Sequence, residues 1–390
     1  MKKRTLWLLG ALNMIGPFTF DAYLAALPDM SRDLHTTAAG TQVTVLANLA
    51  GMTIGMLFGG SLSDSFGRRK PIVWALGLYV LASLAIAGAQ SVELVVALRV
   101  LQGLSGGAMV SASQAIVRDR TEGNDSARMY SLLMLIKSIA PILAPTVGAM
   151  LLLFGSWRTI FLFLAILGAG LWIWSMVSIQ ESLHEDNKTK FTLKNLTGSW
   201  GSIFRDRLFI AGGVGNALGT FALFGYLSTA TFALQGDYGL TPVQFGLFMG
   251  SNGIALILAR SVNAKLLAKR SFHSVYSVGV YVGFVAAVIL AFAAVFHGQL
   301  WLLMFGLYAM TASLGFMTPN TLNLSVTNHK KNAGAAAGLA GLVGSIAGFL
   351  STSTISTFVG TSSTSLAIYI AIPLALTGTS LLIYRKPKGE

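Results

Sequence analysis

The 390-residue chain has no cysteine. That excludes disulfides, thiolate metal sites and a cysteine nucleophile. Charge is scarce as well: 11% of the residues are Asp, Glu, Lys or Arg, where a soluble domain carries about 25%. Acid is the scarcer sign, with 14 Asp and Glu against 27 Lys and Arg. Long strands of alternating apolar and polar residues are missing, which excludes a transmembrane β-barrel. What is present is apolar: 54% of the residues are hydrophobic and the mean hydropathy is +0.69. Together these exclude a soluble enzyme, a disordered tail and a fibrous repeat.

A membrane helix needs about 20 apolar residues. Twelve runs meet that need, at roughly 5–27, 41–62, 71–90, 94–117, 129–153, 158–179, 208–234, 241–264, 274–296, 299–325, 333–359 and 364–384. The first follows Lys2, Lys3 and Arg4 as a signal peptide would, but it lacks a convincing cleavage site and is kept as a span. A net charge of +13 would point to nucleic acid in a soluble protein. Here it is a topology signal instead, and no nucleic-acid partner is expected. With the N-terminus inside, the inner segments hold the terminal Lys2, Lys3 and Arg4, then Arg68, Arg69, Lys70, Arg118, Arg120 and Arg128. They also hold Lys188, Lys190, Lys194, Arg205, Arg207, Lys265, Lys269, Arg270, Lys330, Lys331, Arg385, Lys386 and Lys388. The outer loops hold only Arg32 and Arg158. This is a strong positive-inside pattern, and it predicts an even number of spans with both termini cytoplasmic.

The longest polar stretch falls halfway. It separates an N-terminal six-helix bundle (1–180) from a cytoplasmic linker (181–207) and a C-terminal six-helix bundle (208–390). Within the linker, Leu196, Trp200, Ile203 and Phe204 share one helical face. That spacing fits a short amphipathic helix on the inner membrane face, and a plain linker fits it equally. The basic loops Gly60–Lys70 and Asn263–Arg270 sit at the same place in each half. A duplicated unit is the natural inference, and such repeats put the substrate site at their interface near the bilayer midplane. The expected fold is therefore an all-α polytopic membrane protein of 12 transmembrane helices in two pseudo-symmetric six-helix bundles.

Four charges lie within spans: Asp21, Arg99, Lys137 and Arg260. A charge there costs at least a few kcal/mol and is a functional candidate by default. Arg260 is the exception, since it lies near the inner end of its span and can snorkel. Asp21 is the only acid deep in any span. At about 1.5 Å per residue, Asp21 and Arg99 come to similar depths, so they meet if the first and fourth spans are neighbours. Lys137 lies nearer the midplane. Desolvation disfavours a buried carboxylate's charge and a nearby cation favours it, a competition that lets such a group load and release a proton. The competing reading is a permanent structural pair with Arg99 or Lys137. The histidines, His35, His184, His273, His297 and His329, all fall in loops or at span ends. No ligand-spaced cluster is present, so neither a metal nor an enzyme site is expected, and no cofactor.

Small residues four apart, at Gly51, Gly55 and Gly59 and again at Gly334/Gly338 and Gly344/Gly348, predict close helix contacts. Pro141 and Pro145 remove two backbone donors from one span, ahead of Gly148. Asn13, Asn48, Gln102, Gln114, Asn216, Asn252, Asn320 and Asn323 are scattered polar points within spans; some bridge helices, and others line a cavity.

Gly60–Lys70, with Asp64, Gly67, Arg68 and Arg69, resembles the signature loop of the major facilitator superfamily. Arg99-Val-Leu-Gln102-Gly103 resembles that superfamily's fourth-span motif. Ala140-Pro141-Ile-Leu-Ala144-Pro145-Thr-Val-Gly148 is similar to the motif of its antiporter branch, with Ala140 where Gly is commoner. Asp21-Ala-Tyr23-Leu-Ala-Ala-Leu-Pro28 and Trp157-Arg158-Thr-Ile-Phe161 resemble the drug:proton antiporters of the bicyclomycin/chloramphenicol-resistance group. The second half departs from the pattern: Asn263 stands where the signature Asp would be.

The resemblance implies a rocker-switch exporter of lipophilic drugs in exchange for protons, a multi-pass protein of the bacterial cytoplasmic membrane and a monomer. It implies Asp21 as proton carrier beside Arg99 or Lys137. It implies Asp64 as a latch on the inner gate, with Arg118 its ionic partner. Asn13, Tyr23, Gln102, Gln114, Asn216, Asn252 and Asn320 are the candidates to line the drug cavity. A facilitator for a native sugar or amino acid is the alternative.

Overall fold

A computed structural model describes residues 3–121, 123–183, 200–296, 299–329, 333–355 and 362–384. Its helices are α1 (Lys3–Asp21), α2 (Leu27–Asp33), α3 (Ala38–Phe66), α4 (Arg69–Ala87), α5 (Val92–Arg120), α6 (Gly123–Leu151) and α7 (Trp157–Ser178). The short α8 (Trp200–Ile203) follows, then α9 (Arg207–Phe232), α10 (Pro242–Leu267), α11 (Phe272–Val295) and α12 (Leu300–Thr327). The last are α13 (Ala333–Thr354), α14 (Ser363–Leu376) and α15 (Gly378–Tyr384). There is no strand among the described residues.

Nine helical segments among the described residues are long and apolar enough to cross a membrane. They are α3, α4, α5, α7, α9 to α12, and α14 continued by α15. The other three expected spans fall on α1, α6 and α13, each of which includes residues whose side chains are not described. The chain forms two compact units, Met1–Thr192 with Thr241–Gly250, and Leu193–Leu240 with Ser251–Glu390. Each holds six of the expected spans, the first turns of α10 grouping with the first unit. This is the all-α polytopic architecture that the sequence implies. Large apolar side chains such as Leu81, Ile166, Val177 and Phe292 face outward, a surface that lipid tails solvate and water does not.

Helix starts follow from local chemistry. Thr37, Ser91, Asp206, Ser271 and Ser362 each accept a backbone N–H of the helix they precede, satisfying a donor the first turn leaves free. The end of α3 is set by Gly67, whose φ of +87° suits glycine alone among common residues.

The first unit's core joins Leu8, Leu12 and Ile15 of α1 to Leu76 of α4 and Met109 of α5. Its tightest seam is α3 on α5. A Cβ at Gly51 or Gly55 would overlap the carbonyl oxygens of Val100 and Leu104, and one at Gly103 or Gly107 those of Asn48 and Met52. The glycine stripe of α3 is thus answered by a stripe on α5. The α13 stripe differs: Gly344 abuts Asn216 of α9, whereas Gly338 has no neighbour within 4 Å of its Cβ position. Of the amphipathic face in the linker, Leu196 lies outside the described residues. Ile203 packs into the second unit with Phe209, Ala336 and Leu339, so that side chain is spent on protein.

Candidate functional site

Arg99 of α5 is fully buried. Its guanidinium lies 4.2 Å from the ring centroid of Tyr23 and 5.7 Å from that of Phe161. Nη1 donates to Gln102 Oε1 at 2.8 Å and Nε to the Thr44 carbonyl at 3.4 Å. Nη2 has no hydrogen-bond partner among the described residues. Gln102 passes the connection on, donating to Ser83 Oγ at 2.8 Å, and Ser83 donates to the Tyr79 carbonyl at 2.7 Å. The Tyr79 hydroxyl meets Thr19 Oγ1 on α1. The charge is therefore met by aromatic faces and amide oxygens, and a cation–π contact of this kind contributes about 0.5–2 kcal/mol. The tyrosine and phenylalanine come from the two segments around Asp21 and Trp157 that the sequence singles out.

Asp21 ends α1 and is buried, and its side chain makes no hydrogen bond or ion pair to any described residue. Its rise along α1 puts it level with Arg99, yet Arg99's partners are Tyr23, Phe161, Gln102 and Thr44. Depth along a helix fixes height and not direction. The chain turns after Asp21 so that Tyr23 reaches α5. The side chains of Lys137, Arg118 and Pro141 lie outside the described residues. Pro145 and Gly148 of α6 are buried, and a Cβ at Gly148 would overlap the carbonyl of Ala22.

At one end of the first unit, Arg158 pairs with Asp33, lies 4.4 Å over the Trp157 ring and donates to the Ala89 carbonyl at 2.9 Å. Hydrogen bonds from Arg158 and then from the Trp157 indole hold the Asp33 carboxyl below its ordinary value. At the other end sits the signature-type loop. Arg68 is buried and donates to Asp64 at 2.5 Å, to Asp119 at 2.6 Å and to Ser63 at 2.6 Å. Burial opposes its charge, but the bonds to Asp119 and Asp64 raise its pKa above the ordinary arginine value. Glu181 accepts the backbone N–H groups of Arg68 at 2.8 Å and Arg69 at 3.2 Å, and those of Ser182 and Leu183. Partial burial works against its charge, and these four donors prevail, holding it below the ordinary value. A Cβ at Gly67 would crowd Glu181. Among the described residues Asp64 pairs with Arg68, on its own loop. Asp119 and Glu181 escape a motif-based reading because they lie outside the loop; an acid directly beyond the fourth span and another directly beyond the sixth are the signals they leave.

Most of the candidate cavity residues bridge helices. Asn13 donates to Ser113 at 2.7 Å, and Asn320 to Asn263 at 2.8 Å. Asn252 accepts from Thr311 at 2.8 Å. Tyr23 is fully buried beneath Arg99, its hydroxyl 3.3 Å from that of Thr44. Gln114 is partly buried on α5. Asn216 lines a partly open cleft of about 110 Å³ in the second unit, with Arg260, Thr220, Thr318 and Thr321. Arg260 therefore does not behave as a simple snorkelling residue: its side chain lines a partly open cleft of the second unit, with no hydrogen-bond or ionic partner among the described residues. No group of three or more His, Asp or Glu close enough to hold a metal occurs among the described residues.

A family model described as the Major Facilitator Superfamily matches residues 6–352. The chain is 32% identical over 339 residues to an "Uncharacterized MFS-type transporter YdgK" of Bacillus subtilis, covering 86% of this chain and 84% of that one. It is 25% identical over 335 residues to a "Bicyclomycin resistance protein homolog" of Haemophilus influenzae, covering 86% and 84%. It is 28% identical over 323 residues to a "Chloramphenicol resistance protein" of Pseudomonas aeruginosa, covering 81% and 71%. Among solved structures, a D-xylose-proton symporter superposes with a TM-score of 0.77 at 14% identity, covering 99% of each chain. At that identity the likeness speaks for the fold alone.

Proposed function

The chain belongs to the major facilitator superfamily, a multi-pass membrane transporter, and from that premise we propose that it exports lipophilic drugs of the chloramphenicol type from the cytoplasm in exchange for protons. The observation that carries the reading is Asp21. It is the only acid deep in any span, it is buried, and no described residue holds it in a fixed ion pair. A carboxylate free of a permanent partner can gain and lose a proton as its surroundings change, which coupling requires. Relatives named for bicyclomycin and chloramphenicol resistance supply the cargo class. The basic inner loops support cytoplasmic termini in a bacterial inner membrane. One proton moving down about 150 mV supplies about 3.5 kcal/mol, enough for a cargo gradient of about 300-fold. A single carboxylate is energetically sufficient.

The test is proton-driven chloramphenicol transport in inverted vesicles. Asp21→Asn, expressed at the wild-type level, is expected to lose pH-driven transport while keeping drug binding. Undiminished transport by that variant would overturn the assignment. Transport that ignores the proton gradient in the wild type would favour a facilitator.

A further inference from the structure

Arg260 is a half-buried cation in the membrane-spanning part of the second unit, beside a partly open cleft and without a described partner. Between residues 207 and 389 the only acid is Asp237, and its carboxylate accepts the Ser363 N–H at 2.7 Å at the start of α14. The helices that surround Arg260 therefore carry no carboxylate to neutralise it. Around it stand Asn216 and Thr220 of α9 and Thr318 and Thr321 of α12, with Leu223 and Leu314 supplying apolar wall. Asn216 donates to the Ala340 carbonyl at 2.8 Å, and Thr321 to the Thr318 carbonyl at 3.0 Å, so both are held in place. Gly215, also in the lining, packs closely: a Cβ there would crowd the Tyr276 hydroxyl and Thr321.

A half-buried cation without a counter-charge in a membrane-spanning unit is costly. A guanidinium presents a planar fork of donors suited to carboxylate and other paired oxygens. The volume, about 110 Å³, is well below the roughly 300 Å³ at which drug-sized pockets begin. It suits one polar head of a ligand and not a whole drug. We propose that Arg260, with Asn216, Thr220 and Thr318, forms a subsite for an anionic or paired-oxygen group, a carboxylate or a nitro group, carried by an otherwise lipophilic cargo. The subsite discriminates against cationic cargo by like-charge repulsion. The proposal deepens the export reading and rests on it for its purpose, but its test does not require transport.

The probes are benzoate and its neutral isostere benzamide, added at 10 mM to the purified full-length protein in detergent, with thermal unfolding as readout. A ligand that binds only the folded state raises the midpoint by mass action. Benzoate is expected to raise the wild-type midpoint by about 3 °C more than benzamide does. Arg260→Gln and Arg260→Met are expected to abolish that difference, and Arg260→Lys to keep part of it. Thr220→Leu, which keeps the charge and narrows the cleft, should also abolish it. Equal effects of benzoate and benzamide on the wild type would overturn the proposal, and so would a benzoate preference that survives in Arg260→Gln or in Thr220→Leu. Loss of proton coupling in the vesicle assay, with the benzoate preference intact, would count against the export reading and leave the subsite standing.

Discussion

Gly148 of α6 lies with its α-carbon against the carbonyl of Ala22, so that a Cβ there would overlap the Ala22 oxygen. Ala22 follows Asp21 directly, and its N–H still closes the last turn of α1 on the Phe18 carbonyl at 3.0 Å. The antiporter-type motif thus touches the backbone that carries the proposed proton carrier. Any residue larger than glycine at 148 must push α6 and that backbone apart.

Gly148→Val is accordingly expected to lower thermal stability by an overpacking cost of about 1–3 kcal/mol and to abolish proton-driven transport. Gly170→Val is the control, because nothing lies within 4 Å of its Cβ position. Unfolding midpoints of the two variants, with vesicle transport, check this. Equal midpoints and retained transport in Gly148→Val would show that the contact is not needed.

Glu181 sets a pH dependence on the loop end of the first unit. Its pKa in the fold is held below the ordinary 4.5. A depressed carboxylate stabilises at pH above its unfolded value, and that contribution is lost as pH falls through the folded value. The wild type should therefore lose more stability than Glu181→Gln between about pH 5 and pH 3. Unfolding midpoints across that range decide it, and parallel curves would mean that the four N–H donors do not depend on the charge.

The Arg68 cluster is unevenly exposed, and the unevenness predicts which variant matters. The Arg68 side chain is 2% exposed and that of Asp119 15%, whereas Asp64 is 36% exposed. Removing one partner of a buried pair strands the other and costs about 3–5 kcal/mol, and an exposed pair contributes about 0–1 kcal/mol. Arg68→Ala should therefore unfold several degrees below Asp64→Asn. Indistinguishable midpoints would place the cluster's role elsewhere than in stability.

The residues differ in how legible they are in the sequence. The starts of α3, α5, α9, α11 and α14 are written locally, as a Ser, Thr or Asp before an apolar run. The Gly51/Gly55/Gly59 stripe announces a close contact, though its partner on α5 is visible only in three dimensions. Asp119 and Glu181 sit 51 and 113 positions beyond Arg68, and no spacing rule links residues so far apart. The meeting of Asp21 with Arg99 is misjudged because a rise per residue gives height alone. The setting of Arg260 is misjudged because closeness to a helix end does not reveal whether the side chain points to lipid or into a cleft.

Arg99 is held by an aromatic face and an amide oxygen. With no carboxylate among its described partners, the guanidinium relies on the Tyr23 ring at 4.2 Å and on the Gln102 oxygen at 2.8 Å. Tyr23→Phe keeps the aromatic face and loses the hydroxyl, which contacts Thr44 at 3.3 Å and also interacts with Arg99. It should stay within about 1 kcal/mol of the wild type. Tyr23→Leu removes the face and should cost about 0.5–2 kcal/mol beyond the packing loss. Arg99→Lys keeps the charge but gives up the planar fork that reaches both Gln102 and Thr44, so it should be less stable than the wild type. Arg99→Met removes a charge for which the described surroundings offer no counter-ion. If Arg99 is retained for transport and not for stability, Arg99→Met should be at least as stable as Arg99→Lys and yet inactive in proton-driven export. Midpoints measured beside vesicle transport separate the two roles. An Arg99→Met protein that unfolds far below Arg99→Lys would show that the aromatic cage makes the arginine a structural element of the fold.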